Sequence, residues 1–311
     1  MGLKGLRETS LKLILFGGKG GVGKTTCASA TALYLARDFR TLILSTDPAH
    51  SLADSFGQKL GDEPKEIKGI KNLSALEVNA ENAFLEFKTE HADEIKKIME
   101  TGTNLDTADI DLVLALPIPG MDEVMGFKTM IDLIDEAKFD KYIVDTAPTG
   151  HALRLLSSPK LLDDWIKVMA KMRWKYRYMV ERFAGKYEPD KGDDFLLSMK
   201  KTVKRIEELL RDQNRCEFIA VTIPEDMAVL ETVRLISNLD NFGIKVRQMV
   251  INNVVESNGC MFCREKREEQ DRYIKLIKRK FNGLKTTIVP ACSHEIKGLI
   301  TLADFKNQLF N

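Results

Sequence analysis

At 311 residues, 44% of them hydrophobic, the chain is long enough for one large α/β domain with insertions and too apolar to be disordered. Its 47 lysines and arginines against 46 aspartates and glutamates leave a formal net charge of +1, which excludes a global basic field for holding nucleic acid. Residues 1–10 lack the apolar core of a secretory signal, no window reaches the ~18 uninterrupted apolar residues of a membrane span, and the five cysteines form no secreted disulfide framework, so a soluble cytoplasmic protein is expected.

In chain order, residues 11–16 are a short apolar run ending in glycines, and residues 25–37 are alanine-rich with helical spacing, which reads as strand, loop, helix. Residues 41–45, 141–145, 216–222, 246–252 and 286–289 read as further buried strands. Strands separated by helical stretches predict an α/β fold with a mostly parallel sheet flanked by helices, its ligands bound along the edge where the strands end. About ninety residues separate the second strand from the third and about seventy the third from the fourth, more than a crossover needs. Each interval should hold inserted helices, placed at about 84–135 and 160–205 within a single domain spanning 1–311.

The segment Gly18-Lys19-Gly20-Gly21-Val22-Gly23-Lys24-Thr25, followed by Thr26, fits the P-loop pattern between a strand and a helix. Glycines let backbone N–H groups curl around a phosphate, the helix N-terminus adds positive charge, Lys24 pairs with β- and γ-oxygens, and Thr25 ligates magnesium. Lys19 is a second lysine in the loop, too far forward to serve its own nucleotide in the usual scheme. Asp47 and Asp145 follow the second and third strands. Asp145 suits the magnesium shell, and Asp47 the orientation of an attacking water. Helix capping is the common alternative use of either aspartate, but beside this P-loop the nucleotide roles are preferred. His50 and His151 read as loop organisers rather than catalytic groups.

The segments KGGVGKT, STDPAHS and DTAPTGH together resemble the arsenite-pump and tail-anchored-protein-targeting (guided entry) family of P-loop ATPases. The likeness spans nearly the whole chain, because the Thr222–Glu225 segment, the residues around Asn252, the Cys260 and Cys263 pair and residues 290–297 follow in family order. The resemblance implies ATP hydrolysis by a homodimer, assembly beyond the dimer being open. It places Lys19 across the dimer interface on the partner's phosphates and makes Asp47 catalytic. It also sets Asn252 and the Pro290 to Lys297 loop around adenine, and turns Glu225 toward nucleotide across the dimer.

Cys260-Met-Phe-Cys263 supplies half of a tetrahedral zinc site, and on its own reads equally as a redox pair, an iron–sulfur ligand pair or a coincidence. The resemblance implies one zinc shared across the dimer. Cys27, Cys216 and Cys292 form no evident arsenite cluster, and a single P-loop favours the targeting branch over the fused arsenite-pump architecture.

Eight of the twelve methionines fall between residues 99 and 199. Trp165, Met169, Met172, Tyr176, Met179 and Phe183 recur at helical spacing, a stripe roughly 27 Å long and near the hydrocarbon thickness of a bilayer. Periodicity alone favours core packing for such a stripe. The resemblance favours a client-binding groove, with Met121, Met125 and Met130 beside it and residues 112–121 at its edge. The function so implied is ATP-dependent capture of the membrane anchor of tail-anchored proteins and its release at a membrane receptor. The rivals are an arsenite-stimulated pump subunit and, from another class, an iron–sulfur cluster carrier.

Overall fold

Each short apolar run followed by a polar turn and a helical stretch becomes one strand–helix unit in a computed structural model of the chain, which describes residues 3–47, 51–103, 106–115, 121–146, 149–257 and 260–310. The order is β1 (Leu13–Gly17), α1 (Lys24–Leu35), β2 (Thr41–Ser45), α2 (Ser51–Phe56), β3 (Lys65–Glu66), β4 (Leu73–Glu77), α3 (Ala80–Glu90), α4 (Ala92–Gly102), α5 (Thr107–Ala115) and α6 (Met121–Asp135). There follow β5 (Lys141–Asp145), α7 (Thr149–Ala184), α8 (Lys191–Arg211), β6 (Cys216–Thr222), α9 (Asp226–Asn241), β7 (Val246–Val254), α10 (Met261–Lys280), β8 (Lys285–Pro290) and α11 (Gly298–Phe310).

The strands form one sheet in the order β3-β4-β2-β5-β1-β6-β7-β8, parallel except for the antiparallel β3. Successive side chains of a strand point to opposite faces, and the core divides accordingly. Ile219 and Val221 of β6 join Ile14, Phe16 and Ile143 beneath α1 and α11, while Ala220 joins Met249 and Ile251 against Val229 of α9 and Ile274 of α10. Strands β3 and β4 have no counterpart among the six sequence-derived strands. Leu73-Ser-Ala-Leu-Glu77 is fully buried but built from residues of weak strand preference, so it carries no strand signal of its own. Glu77 is retained there by accepting the Ala53 N–H at 2.8 Å.

The chain divides into two compact units, one of Met1–Asn79, Leu133–Leu156 and Leu210–Asn311, the other of Ala80–Asp132 and Ser157–Leu209. The second is helical, with a core that includes Phe87, Ile98, Met125, Met169, Phe195 and Met199. At Gly102 a Cβ would lie 2.3 Å from Met172, so α4 ends in close approach to α7.

This core corrects part of the expected client surface. Met125, Met130 and Met169 are buried, and Trp165 and Met172 pack half-buried against the same cluster. Tyr176 sits against Arg173 and Tyr187. Only Met179 and Phe183, 57% and 78% exposed, carry the stripe into solvent, whereas the exposed Trp174 and Tyr178 stack on each other on the opposite side of the helix. The helical period reports that a face is apolar, and over most of α7 the chain itself covers that face. The side chain of Met121, residues 116–120, and His50 and His151 as side chains lie outside the described residues.

Candidate nucleotide site

The carboxyl ends of β2, β5 and β1 lie side by side, with Ser45 and Phe16 both in register with Asp145. The Thr46 N–H donates to the Asp145 carbonyl at 3.1 Å, and the Thr146 hydroxyl to the Phe16 carbonyl at 2.7 Å, which fixes the three strand ends to one another. The loop after β1 needs its glycines. A Cβ on Gly18 would stand 2.1 Å from the Val221 carbonyl oxygen, and Gly23 has φ 92° with Asn252 Nδ2 2.4 Å from where its Cβ would be. Helix α1 starts at Lys24 without a side-chain cap and without an acid in its first turn, so the N–H groups of that turn, Thr25 and Thr26 included, face the loop as an anion-binding end.

The Lys24 side chain is buried, and its ammonium donates to the Lys19 carbonyl at 3.3 Å. Burial pushes its pKa down, against the charges of Asp145 and Asp47, which favour the ammonium. The Thr25 hydroxyl donates to Asp145 Oδ2 at 2.6 Å and lies 3.2 Å from the Ser51 hydroxyl. Burial pushes the Asp145 carboxyl up to about 7, against Thr25 and Lys24, while the Asp47 charge adds to the rise. Asp145 Oδ1 has no hydrogen-bond partner among the described residues. An orphaned carboxylate oxygen beside a hydroxyl oxygen is a donor set that suits a hard divalent cation. Asp47 is partly buried, its N–H bonded to the Ser45 hydroxyl at 3.1 Å. Lys19 is partly buried at the front of the loop.

The remaining sequence-derived residues divide. Asn252, 7% exposed at the end of β7, donates its amide to the Val22 carbonyl at 3.0 Å and so touches the P-loop directly. Pro290 ends β8, in register with Val254 of β7. Lys297 is exposed and pairs with Asp54 at 3.6 Å, and Glu225 precedes α9 with its carboxylate 3.9 Å from Lys266 of α10. Cys260 caps α10, its sulfur accepting the Cys263 N–H at 3.1 Å. Hydrogen bonds from the Cys263 thiol and N–H hold the Cys260 thiol below its ordinary value. Among the described residues no group of three or more His, Cys, Asp or Glu side chains stands together to hold a metal. Burial pushes the thiols of Cys27, Cys216 and Cys292 up, as for inert packing residues. Ser51 closes the STDPAHS segment and Asn252 belongs to the motif series, but neither motif specifies that Ser51 meets Thr25 or that Asn252 meets the P-loop, so sequence reasoning did not find those contacts.

A glycine loop between a parallel strand and a helix N-terminus, with Thr25 hydrogen-bonded to the aspartate of the neighbouring strand, defines a P-loop nucleoside triphosphatase. Residues 11–311 match the family model described as anion-transporting ATPase, and the chain belongs to that family. The ATPase ASNA1 homolog 1 of Paramecium tetraurelia is 35% identical over 312 residues, covering 96% of this chain and 92% of that protein. The ATPase GET3 of Mycosarcoma maydis is 32% identical over 314 residues, with 98% and 92% covered, and the ATPase get3 of Schizosaccharomyces pombe is 30% identical over 311 residues with the same coverage. The chain is therefore an ATP-binding ATPase, in the family that its motif series implied.

Proposed function

We propose that this ATPase is a homodimeric targeting factor that holds the transmembrane anchor of tail-anchored proteins and releases it for insertion in step with ATP hydrolysis. The observation that carries the reading is the exposed apolar end of α7. Met179 and Phe183 stand 57% and 78% exposed, in line with the stripe, on a helical unit that already has a filled core of its own. Apolar side chains left exposed in line with one helical stripe suit an apolar partner, and flexible thioethers tolerate varied sequences. Similarity to proteins named GET3 and ASNA1 supports the same reading. No helix of the described residues is long and apolar enough to cross a membrane, consistent with a factor that shields anchors rather than carrying one, and we place it in the cytoplasm.

In the proposed mechanism Lys24 and the α1 N-terminus bind the β- and γ-phosphates, and Thr25 with Asp145 would hold magnesium, which neutralises phosphate charge when bound. Asp47 orients the attacking water, and Lys19 of one protomer reaches the phosphates of the other. Asn252 and Pro290 face the base, Lys297 lies at the rim of that loop, and Glu225 faces nucleotide across the dimer. Cys260 and Cys263 fit zinc as half of a four-thiolate site. The hydrogen bonds between them favour the thiolate of Cys260 and hold the Cys263 thiol up, both would lose their protons on binding a metal, and a second copy supplies the other two ligands. A membrane receptor would accept the loaded dimer.

The test is copurification with a coexpressed tail-anchored client, compared with a client lacking its anchor, with and without ATP turnover. Anchor-dependent capture is expected. No capture, together with turnover stimulated by arsenite, would move the protein to the metalloid branch of the family. Brown protein with iron absorption would favour a cluster carrier instead.

A further inference from the structure

Strand β7 does not run regularly to its end. Its pairing with β8 shifts register between Ile251 and Val254, and Asn253 takes a left-handed φ of 61°. Such a bulge leaves backbone groups without ladder partners and re-aims the side chains beside it. Here both orphaned groups are met by one side chain. Gln270 of α10, 3% exposed, donates from Nε2 to the Asn253 carbonyl at 3.0 Å and accepts the Val255 N–H on Oε1 at 2.8 Å. A carboxamide carries its donor and its acceptor on separate atoms of one planar group and so can do both at once. Arg267 adds a bond to the Val255 carbonyl at 3.2 Å, and the Ala291 N–H, just after Pro290, donates to the Val254 carbonyl at 2.9 Å.

The same bulge turns the buried Asn252 toward the P-loop, where its amide meets the Val22 carbonyl and fills the space over Gly23. Gln270 lies about two turns along the helix that begins at Cys260 and Cys263. One buried side chain therefore joins the thiol-bearing helix to the strand end that contacts the phosphate loop.

We propose that Gln270 is a positioning residue for the nucleotide site: by closing the β7 bulge it holds Asn252 against Val22 and Gly23 and shapes, with Pro290, the surface on which the base rests. The inference deepens the proposed function, since it rests on Asn252 and Pro290 facing the base. Gln270 itself touches neither phosphate nor base. Its loss should loosen base recognition while sparing the hydrolytic groups around Asp145.

The experiment compares steady-state hydrolysis of ATP and GTP by the full chain and by Gln270→Met, which keeps length and apolar packing but neither hydrogen bond. The KM for ATP should rise about tenfold, near the worth of one or two such bonds, with kcat changed less than about threefold, and the preference for ATP over GTP should fall with it. Gln270→Glu retains an acceptor for the Val255 N–H and lacks the donor to Asn253, so it should also lose preference, and it serves if the methionine variant does not fold. A purely structural role would lower thermal stability without moving the ATP-to-GTP ratio, and that outcome would overturn the inference. Asn252→Ala separates the two layers. If it lowers the ratio while both Gln270 variants leave it unchanged, positioning by Gln270 is wrong and base recognition by Asn252 stands. If Asn252→Ala also leaves the ratio unchanged, the base-facing reading fails and the inference falls with it.

Discussion

The Thr25 hydroxyl donates to Asp145 Oδ2 at 2.6 Å, joining the first turn of α1 to the end of β5 through a buried carboxylate whose Oδ1 has no partner among the described residues. Thr25→Val keeps the shape and removes the oxygen. Magnesium required for half-maximal turnover should rise about 10–100-fold, as when other hydrogen-bonded metal sites lose a supporting group, and Thr25→Ser should restore it. A valine variant with normal magnesium dependence would remove the pair from the metal site.

Lys19 and Asp47 allow a test of dimeric catalysis that neither single variant provides. Each of Lys19→Ala and Asp47→Asn should cut turnover by at least about 10²-fold, the scale of losing one transition-state charge contact. If Lys19 acts across the interface, a mixed dimer of the two variants contains one site with its own Asp47 and an intact partner lysine. Mixing the two inactive proteins, with subunit exchange, should recover up to about a quarter of wild-type turnover by random pairing. No recovery in a verified mixed dimer would mean that Lys19 serves its own nucleotide.

The sheet's central strands could be read from sequence because they are continuous apolar runs closed by polar residues, and the P-loop because its glycine positions are dictated by backbone clearance, as at Gly18 beneath Val221. Strand β4 was hidden because Ser74 and Glu77 are buried through tertiary contacts that no local pattern announces. The α7 stripe was legible as apolar and illegible as to its cover, since Met169 and Met179 share one periodicity and opposite environments. Gln270 could not be found at all. Its role depends on a bulge in another element, and a buried glutamine on a strongly polar helix has no sequence signature.

That split within α7 yields a contrast between two methionine sites. Met179 and Phe183 are exposed, and burying such side chains against an anchor is worth about 1.5–3 kcal/mol each. Replacing both with serine should weaken anchor capture at least about tenfold while leaving basal turnover and thermal stability close to wild type. Met169 is buried in the helical core, so Met169→Ala should instead destabilise the unit by about 2–5 kcal/mol, measured by urea unfolding. Equal capture by wild type and the double serine variant would place the anchor elsewhere.

Arg173 of α7 is the charge that holds the start of α8 and the segment before it. Its guanidinium, 4% exposed, pairs with Asp190 and reaches Asp193 at 3.2 Å, and Tyr187 donates to the same Asp193 carboxylate. Burial would push the Asp190 carboxyl up, but Lys97, Arg173 and the Gly192 N–H outweigh it and hold it at about 2. The folded value lies below the ordinary ~3.9 of the unfolded chain, so this stability is fully present above about pH 4 and is lost as pH falls through about 2. Arg173→Met removes the cation and leaves two part-buried carboxylates facing each other, and should cost about 3 kcal/mol at pH 7. In urea titrations the gap between wild type and variant should hold from pH 7 to about 4, then close as the carboxylates protonate. A gap that stays constant to the lowest pH at which the protein folds would assign the contribution of Arg173 to its contacts with the rings of Tyr176 and Tyr187, 5.1 and 5.5 Å away, and not to the ion pairs.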